Sequence, residues 1–338
     1  MCEIKINNVP SPTWRFLDMN GAHTRWELPN KPPKISALAA DDSFAAGDLS
    51  VFPADDIQTL IKSEGCARLS VSAKEGEERT ARINLDDEGE SCAAEIRINA
   101  AEKSRLTVFI TVQGSGYFAL RVSANVCKQA SVRLVFSQLT SEKGELIADF
   151  ESSLGDSSEL SQLSFFPGTS AAFIQSRTLL SGDNSRLSSR TFYLGENDDR
   201  LDLNYVSAHE GKSTQCHIKA DGALGGSASK LFRGTIDFRS GCTGSQGSET
   251  ENVMLLDDGA RNQTLPIILC SEEDVNGAHG ATIGNLSDET LFYFASRGIS
   301  KEDAERLLKI LLAESFCRIA DDEETAAGVR LRMGGGYE

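Results

Sequence analysis

Hydrophobic and polar residues alternate with a period of two through the middle of this chain. Leu69, Val71 and Ala73 alternate with polar partners, as do Leu106, Val108, Ile110 and Val112. Phe118, Leu120 and Val122 repeat the pattern, and Val132, Leu134 and Phe136 continue it. Successive side chains of a strand point to opposite faces, so the alternation predicts half-buried strands from about residue 66 to 275. Farther on, Gly182, Gly195, Gly211, Gly222, Gly234 and Gly241 punctuate short runs such as LDLNYVSA and TQCHIKA. The gaps are mostly too short for crossover helices, which argues against a doubly wound α/β fold. What remains is a sandwich or a solenoid of stacked strands. No repeat consensus is visible, so the pattern by itself leans toward the sandwich.

The pattern changes at both ends. Residues 1–65 read as an irregular arm with little core of its own. It holds Pro10, Pro12, Pro29, Pro32, Pro33 and Pro53, six of the eight prolines. One short helix is expected within residues 55–65. Trp14, Phe16, Leu17 and Trp26 can pin the arm to the body, because exposed tryptophan is costly. After a β core over 66–286, the period becomes helical over 287–325. Ser287 suits a helix N-cap with Asp288 and Glu289 in the first turn, and Gly298 suits a left-handed stop. Ser300 with Asp303 then resembles a capping box. Ala304, Leu307, Leu308, Leu311 and Leu312 follow as one stripe at 3.6-residue spacing. Residues 326–338 read as a mobile tail.

Composition narrows the function more than the fold. A chain of 338 residues can bury a sizeable core. Its net charge of -16 argues against nucleic-acid binding, which needs a face rich in Lys and Arg. No apolar run approaches the roughly 18 residues of a membrane span. The opening MCEIKINNVPSPTW lacks the cationic-then-apolar order of a secretion signal, so a cytoplasmic location is expected. The eight cysteines form no CxxC pair and read as free thiols. There is no GxSxG elbow, Walker A loop or HExxH, so no enzyme is expected.

Few residues stand out chemically. Cys216 and His217 are adjacent, so on a strand they face opposite sides and do not share a site. Cys270, in the run LPIILC, reads as a buried thiol, and Cys242 as the more accessible one. Asp257 with Asp258, and Glu272 with Glu273 and Asp274, lie beside turn residues and read as solvated charge. A carboxylate pair on a solenoid would otherwise suit glycoside chemistry. His279, one of four histidines, sits between Gly277 and Gly280 among small residues. Imidazole is a common ligand for borderline metals such as ferrous iron. A histidine satisfied within a turn is the plainer alternative.

Residues 265–316 read LPIILCSEEDVNGAHGATIGNLSDETLFYFASRGISKEDAERLLKILLAESF. In EEDVNGAHGATIG, LFYFASRGIS and the leucine helix that follows, this stretch resembles the C-terminal signature of the SufB/SufD family. These are the paired scaffold subunits of the SUF iron–sulfur cluster assembly system. Upstream, KADGALGGSASKLFRGTIDF and NVMLLDD fit the same family, so the resemblance covers roughly residues 205–317. It implies a right-handed parallel β-helix with a C-terminal helical appendix, in place of the sandwich. It further implies pairing through the β-helices as a SufB–SufD heterodimer, with a homodimer as an open variant. The C-terminal helices would dock the SufC ATPase, and ATP would enter only through SufC. A nascent cluster, or iron, would be held at the interface between subunits. SufB-type chains carry histidine–glutamate in this motif and SufD-type chains histidine–glycine. Here the pair is His279–Gly280, and Ala260 stands near the place of SufB's interface cysteine. Both features resemble SufD. Many SufD-type chains carry a longer helical region before the strands, where this sequence has only the short arm. On this resemblance His279 is the metal- and cluster-binding residue, and Phe292, Tyr293, Arg297 and Gly298 form the SufC-docking surface. The competing readings are a polysaccharide-acting enzyme on a β-solenoid and an architectural platform in which His279 is only structural.

Overall fold

The computed structural model of the protein describes residues 1–11, 19–41, 51–52, 56–63, 65–286 and 288–334. The expected anchors Trp14, Phe16 and Leu17 and the expected cap Ser287 lie outside them. In the body, strands of about ten residues are joined by tight turns. A chain that turns so soon cannot lay the next strand beside the last in parallel, so it crosses to a second sheet and returns one rung higher.

One sheet therefore stacks β4 (Cys66–Ala73), β6 (Ser91–Ala100), β8 (Tyr117–Val126), β10 (Glu145–Leu154), β12 (Ala171–Leu180), β14 (Arg200–His209), β16 (Ser229–Phe238) and β18 (Arg261–Cys270). The facing sheet stacks β5 (Glu78–Asp86), β7 (Arg105–Gly114), β9 (Ser131–Thr140), β11 (Glu159–Phe166), β13 (Arg186–Gly195), β15 (Gln215–Leu224), β17 (Ser245–Leu255) and β19 (Val275–Asn285). All these pairings are parallel, for example Tyr117 with Glu145 and Glu145 with Ala171. The molecule is a β-solenoid of about eight two-strand turns, not a sandwich. Each rung buries its inward residues between the sheets, from Val71, Ile83 and Ile96 at the start to Phe232, Ile236 and Phe238 near the end.

The repeat escapes the eye because the backbone carries it rather than the side chains. Two residues before β5, β7, β9, β11, β13 and β15 the chain takes a left-handed conformation, at Gly76, Lys103, Gln129, Ser157, Asn184 and Ser213, and again at Gly244 just before β17. There the amide of one turn bonds the carbonyl of the next. Gln129 N donates to Asp156 O at 2.8 Å, Ser157 N to Asp183 O at 2.8 Å and Ser213 N to Thr243 O at 2.9 Å. A left-handed residue other than glycine costs about 1–2 kcal/mol, and the turn-to-turn ladder offsets it at each of these turns.

Both outer faces are covered. The arm is more structured than expected. β1 (Cys2–Ile6) pairs antiparallel with β2 (Ala22–Trp26). The expected short helix is α1 (Ile57–Ile61), and β3 (Lys34–Leu38) caps the first rung by pairing antiparallel with β5. Ile4, Ile6, Trp26 and Leu60 pack on Ala93, Ala119, Ile147 and Phe173 of the first sheet. Trp26 is fully buried, with its ring edge-on to Tyr117 at 5.3 Å.

On the opposite face lie α2 (Asp288–Ser296), α3 (Lys301–Ala320) and α4 (Glu323–Arg332). Ser300 caps α3 by accepting from Asp303 N at 3.1 Å, and Gly298 takes φ +78° between α2 and α3. Of the expected mobile tail, residues 326–332 belong to α4, with Ala326 and Val329 buried, and residues 335–338 lie outside the described residues. The apolar stripe of α4 is too thin to read in sequence. It is fixed by polar contacts instead. Asp322 caps it by accepting from Thr325 N at 2.8 Å, and Arg332 donates to Thr140 O at 2.7 Å and Gly168 O at 2.8 Å.

Candidate functional site

At the last rung both sheets end without a further strand among the described residues. β19 pairs only with β17, and β18 only with β16. Residues 276–283 of β19 are all exposed, although the same inward positions are buried on earlier rungs. At the first rung the second sheet is closed, since β3 pairs with β5 behind Pro32 and Pro33. Natural edges are usually guarded by lysine, proline or a bulge. The segment VNGAHGATIGN has none of these, so its unpaired backbone edge is free to accept another strand.

His279 lies in the middle of this edge, level with Glu249 on the rung below. Its side chain is on the inward side of β19, exposed because no further rung lies over it. The flanking glycines do different things. A Cβ on Gly280 would meet nothing within 4 Å, so that side is open to approach. A Cβ on Gly277 would lie 3.0 Å from Phe238 and 3.2 Å from Ile268, so that glycine serves internal packing.

Beneath the open end the interior turns polar. Tyr193 Oη donates to Glu251 Oε1 at 3.0 Å, and the Lys230 ammonium and the Thr264 hydroxyl also meet this carboxylate. Burial lowers the Lys230 pKa to about 8 against the pull of Glu251. Glu249 is 3 % exposed. Its carboxyl lies over Gly234, where a Cβ would come within 2.0 Å. Burial, and then repulsion from Glu251, push its pKa to about 8, so it is largely protonated at neutral pH. Nothing in the sequence singles Glu249 out. Only the register that places it under His279 does.

Among the described residues no three His, Cys, Asp or Glu side chains converge as a metal site. The edge presents His279 with a buried acid on the rung below it. A metal-bearing species would need further ligands from elsewhere to fill its shell.

The remaining expectations resolve individually. Cys216 is buried and His217 exposed, on opposite sides as expected. Cys216 Sγ instead meets His209 Nε2 at 3.3 Å, and His209 Nδ1 meets Thr214 Oγ1 at 2.6 Å. Burial lowers the His209 pKa to about 4 and raises that of Cys216 to about 12, so the pair is neutral and inert. The two other cysteines are reversed. Cys270 ends β18 on the uncovered rung and is exposed, whereas Cys242 folds under its turn into the core. The acidic pairs are turn chemistry, as read. Asp257 accepts from Gly226 N at 2.7 Å and Glu272 from Gly241 N at 2.9 Å.

Next to the open end stands α2, with Phe292 76 % and Tyr293 55 % exposed. The Arg297 guanidinium lies 5.1 Å from the centre of the Tyr293 ring. Of the leucine stripe on α3, Leu307 and Leu311 are exposed, while Leu308 and Leu312 are partly buried. Leu308, Leu311 and Leu312 line an apolar groove of about 360 Å³ against Phe192, Val253 and Met254. The four residues at 292, 293, 297 and 298 are thus neighbours on one end of the helical layer, about a turn of chain from the β19 edge.

Comparison with known proteins fixes the family. The sequence profile described as "SUF system FeS cluster assembly, SufBD core domain" matches residues 83–310, more than half of the chain. The chain belongs to the SufBD core-domain family. Among its relatives is the iron–sulfur cluster assembly protein SufD of Bacillus subtilis, 31 % identical over 134 residues, 40 % of this chain and 31 % of the relative. SufD of Escherichia coli is 25 % identical over 244 residues, 70 % of this chain and 57 % of the relative. A chloroplastic SufBD-family protein of Arabidopsis thaliana is 29 % identical over 164 residues, 48 % of this chain and 29 % of the relative. The chain thus spans between about a third and three fifths of the length of these relatives. The match begins with β5 and runs into α3, so it takes in the open rung and both helices beside it.

Proposed function

We propose that the protein is a SufD-type, non-catalytic scaffold subunit in iron–sulfur cluster assembly, pairing through its open last rung with a SufB-type subunit. The observation that carries this reading is the unguarded β19 edge with His279 at its centre. Strand addition to that edge would bring a partner's side chains to His279. Iron or a nascent cluster, as cargo, would then find imidazole nitrogen from this chain and thiolate or carboxylate from the other. A half-site of this kind forms only when the chains meet, which makes cluster formation dependent on assembly.

The histidine–glycine pair at 279–280 and the alanine at 260 support the SufD form. The exposed Phe292, Tyr293 and Arg297, with the groove beside them, support a docking surface for the SufC ATPase, through which alone ATP would act. Among the described residues no helix is long and apolar enough to cross a membrane.

The test is anaerobic co-purification with candidate SufB- and SufC-type partners, comparing wild type with His279→Ala for bound iron and sulfide. The expected result is an intact complex with cluster in the wild type and at least several-fold less iron in the variant. Equal iron in both would reduce this chain to an architectural subunit and remove His279 from the site.

A further inference from the structure

A pair of thiols meets at the corner where β18 turns toward β19. Of the eight cysteines only Cys270 is exposed, at the end of β18 on the last rung. Its Cα lies level with that of Phe238, the last residue of β16. From Phe238 the chain enters a turn in which Cys242 N donates to Arg239 O at 3.2 Å, folding Cys242 back toward the strand ends. Cys242 is fully buried there.

Glu272 joins the two cysteines. Its carbonyl accepts from Cys270 Sγ at 3.1 Å, and its carboxylate accepts from Gly241 N, beside Cys242, at 2.9 Å. Burial first, and then the neighbouring Glu272 and Cys270, push the Cys242 thiol above its usual range. A disulfide spans Cα atoms about 4–7 Å apart. Adjacent strands lie about 5 Å apart and a β-turn holds its ends within about 7 Å, so a small movement of the turn brings the pair into reach. Gly241 and Gly244, at φ +100° and +77°, flank Cys242 on both sides. A Cβ on Gly241 would meet nothing within 4 Å, so the turn has room to move.

We infer that Cys270 and Cys242 form a redox switch at the open rung, closing into a disulfide on exposure to a peroxide. The exposed Cys270 thiolate attacks one peroxide oxygen, giving a sulfenic acid and a hydroxide that takes up a proton to become water. The Cys242 sulfur then attacks the Cys270 sulfur, and the sulfenic hydroxyl leaves as water with the Cys242 proton. Two thiols are oxidised to one disulfide, and one peroxide is reduced to two waters. The bond draws the end of β18 inward, and with it residues 271–274, which lead directly into β19. Weaker strand addition at β19 follows, a consequence that rests on the reading of this edge as the pairing surface. The disulfide itself does not depend on that reading.

The test treats the reduced full chain with hydrogen peroxide, alkylates the remaining thiols and maps the peptides by mass spectrometry. A cross-link between Cys242 and Cys270, reversed by dithiothreitol, is expected. Cys242→Ser should stop at a sulfenic acid on Cys270 that dimedone traps, and Cys270→Ser should leave Cys242 reduced several-fold longer. Oxidation of Cys270 with Cys242 still open to alkylation, or a cross-link to another cysteine, overturns the pair. Sedimentation velocity with a SufB-type subunit then compares the reduced and oxidised chains, and several-fold weaker association is expected on oxidation. A cross-link with unchanged association overturns the switch. No association even of the reduced chain counts against the proposed pairing and leaves the thiol chemistry standing.

Discussion

Glu249 is a residue whose chemistry departs far from its solution behaviour. Its folded pKa, about 8, is above the ordinary 4.5, so the protonated form is the one the fold accepts. The stability it permits is therefore complete below about pH 4.5 and is lost as pH rises toward 8. Glu249→Gln keeps the shape and removes the charge. Denaturant unfolding should show little difference from wild type at pH 5 and a more stable variant at pH 9. The gain has an upper bound of about 5 kcal/mol from the size of the shift. Equal pH profiles would mean that the carboxyl reaches water in the folded protein. His279 stands exposed on the rung above it. A buried acid thus lies directly below an exposed imidazole at this edge.

Among the elements, the helical layer depends on a single aromatic anchor. Phe316 of α3 is fully buried between Phe165 at 5.1 Å and Phe192 at 6.3 Å on the outer face of the second sheet. Phe316→Ala should cost about 3–5 kcal/mol, the range for emptying such a site. Because α3 and α4 rest on the solenoid rather than in its core, the loss should appear as early exchange of α3 and α4 amides while the rungs stay protected. Uniform loss of protection would mean that layer and solenoid unfold as one unit. α2 contributes little to this anchoring and presents its aromatics outward. Replacing Phe292, Tyr293 and Arg297 together by alanine should leave the unfolding midpoint within a few degrees of wild type while abolishing capture of a SufC-type ATPase. Undiminished capture would move the docking surface elsewhere.

At the scale of the whole molecule, the solenoid is capped at one end and open at the other. Each strand is satisfied by the rungs on both sides of it, so only a terminal rung has hydrogen bonds to offer. β3 fills this need at the start, and another chain would fill it at β19. Ile283, 55 % exposed on β19, would be covered by such a partner. Ile283→Lys should fold normally and yet lose association with a SufB-type subunit, or with a second copy, by at least tenfold in sedimentation velocity. Unchanged association would place the contact away from this edge.

The period of two already announces short, closely spaced strands, and the spacing of Ser300, Asp303 and the leucines announces α3. The motif around His279 names the family, because a run such as HGATIG followed by LFYFASRGIS is long and ordered enough to identify by itself. Sandwich and solenoid, however, alternate in the same way along each strand. They differ only in which strand lies beside which, a matter of register between residues some 26–32 positions apart. The turns that set this register share a left-handed backbone but not a residue type, so no consensus betrays them. The same limit hid α4, held by arginine-to-carbonyl bonds, and exchanged the environments of Cys242 and Cys270. Local chemistry is written in neighbouring residues. The acid beneath His279 and the thiol pair at the open rung are assembled only when distant rungs are stacked.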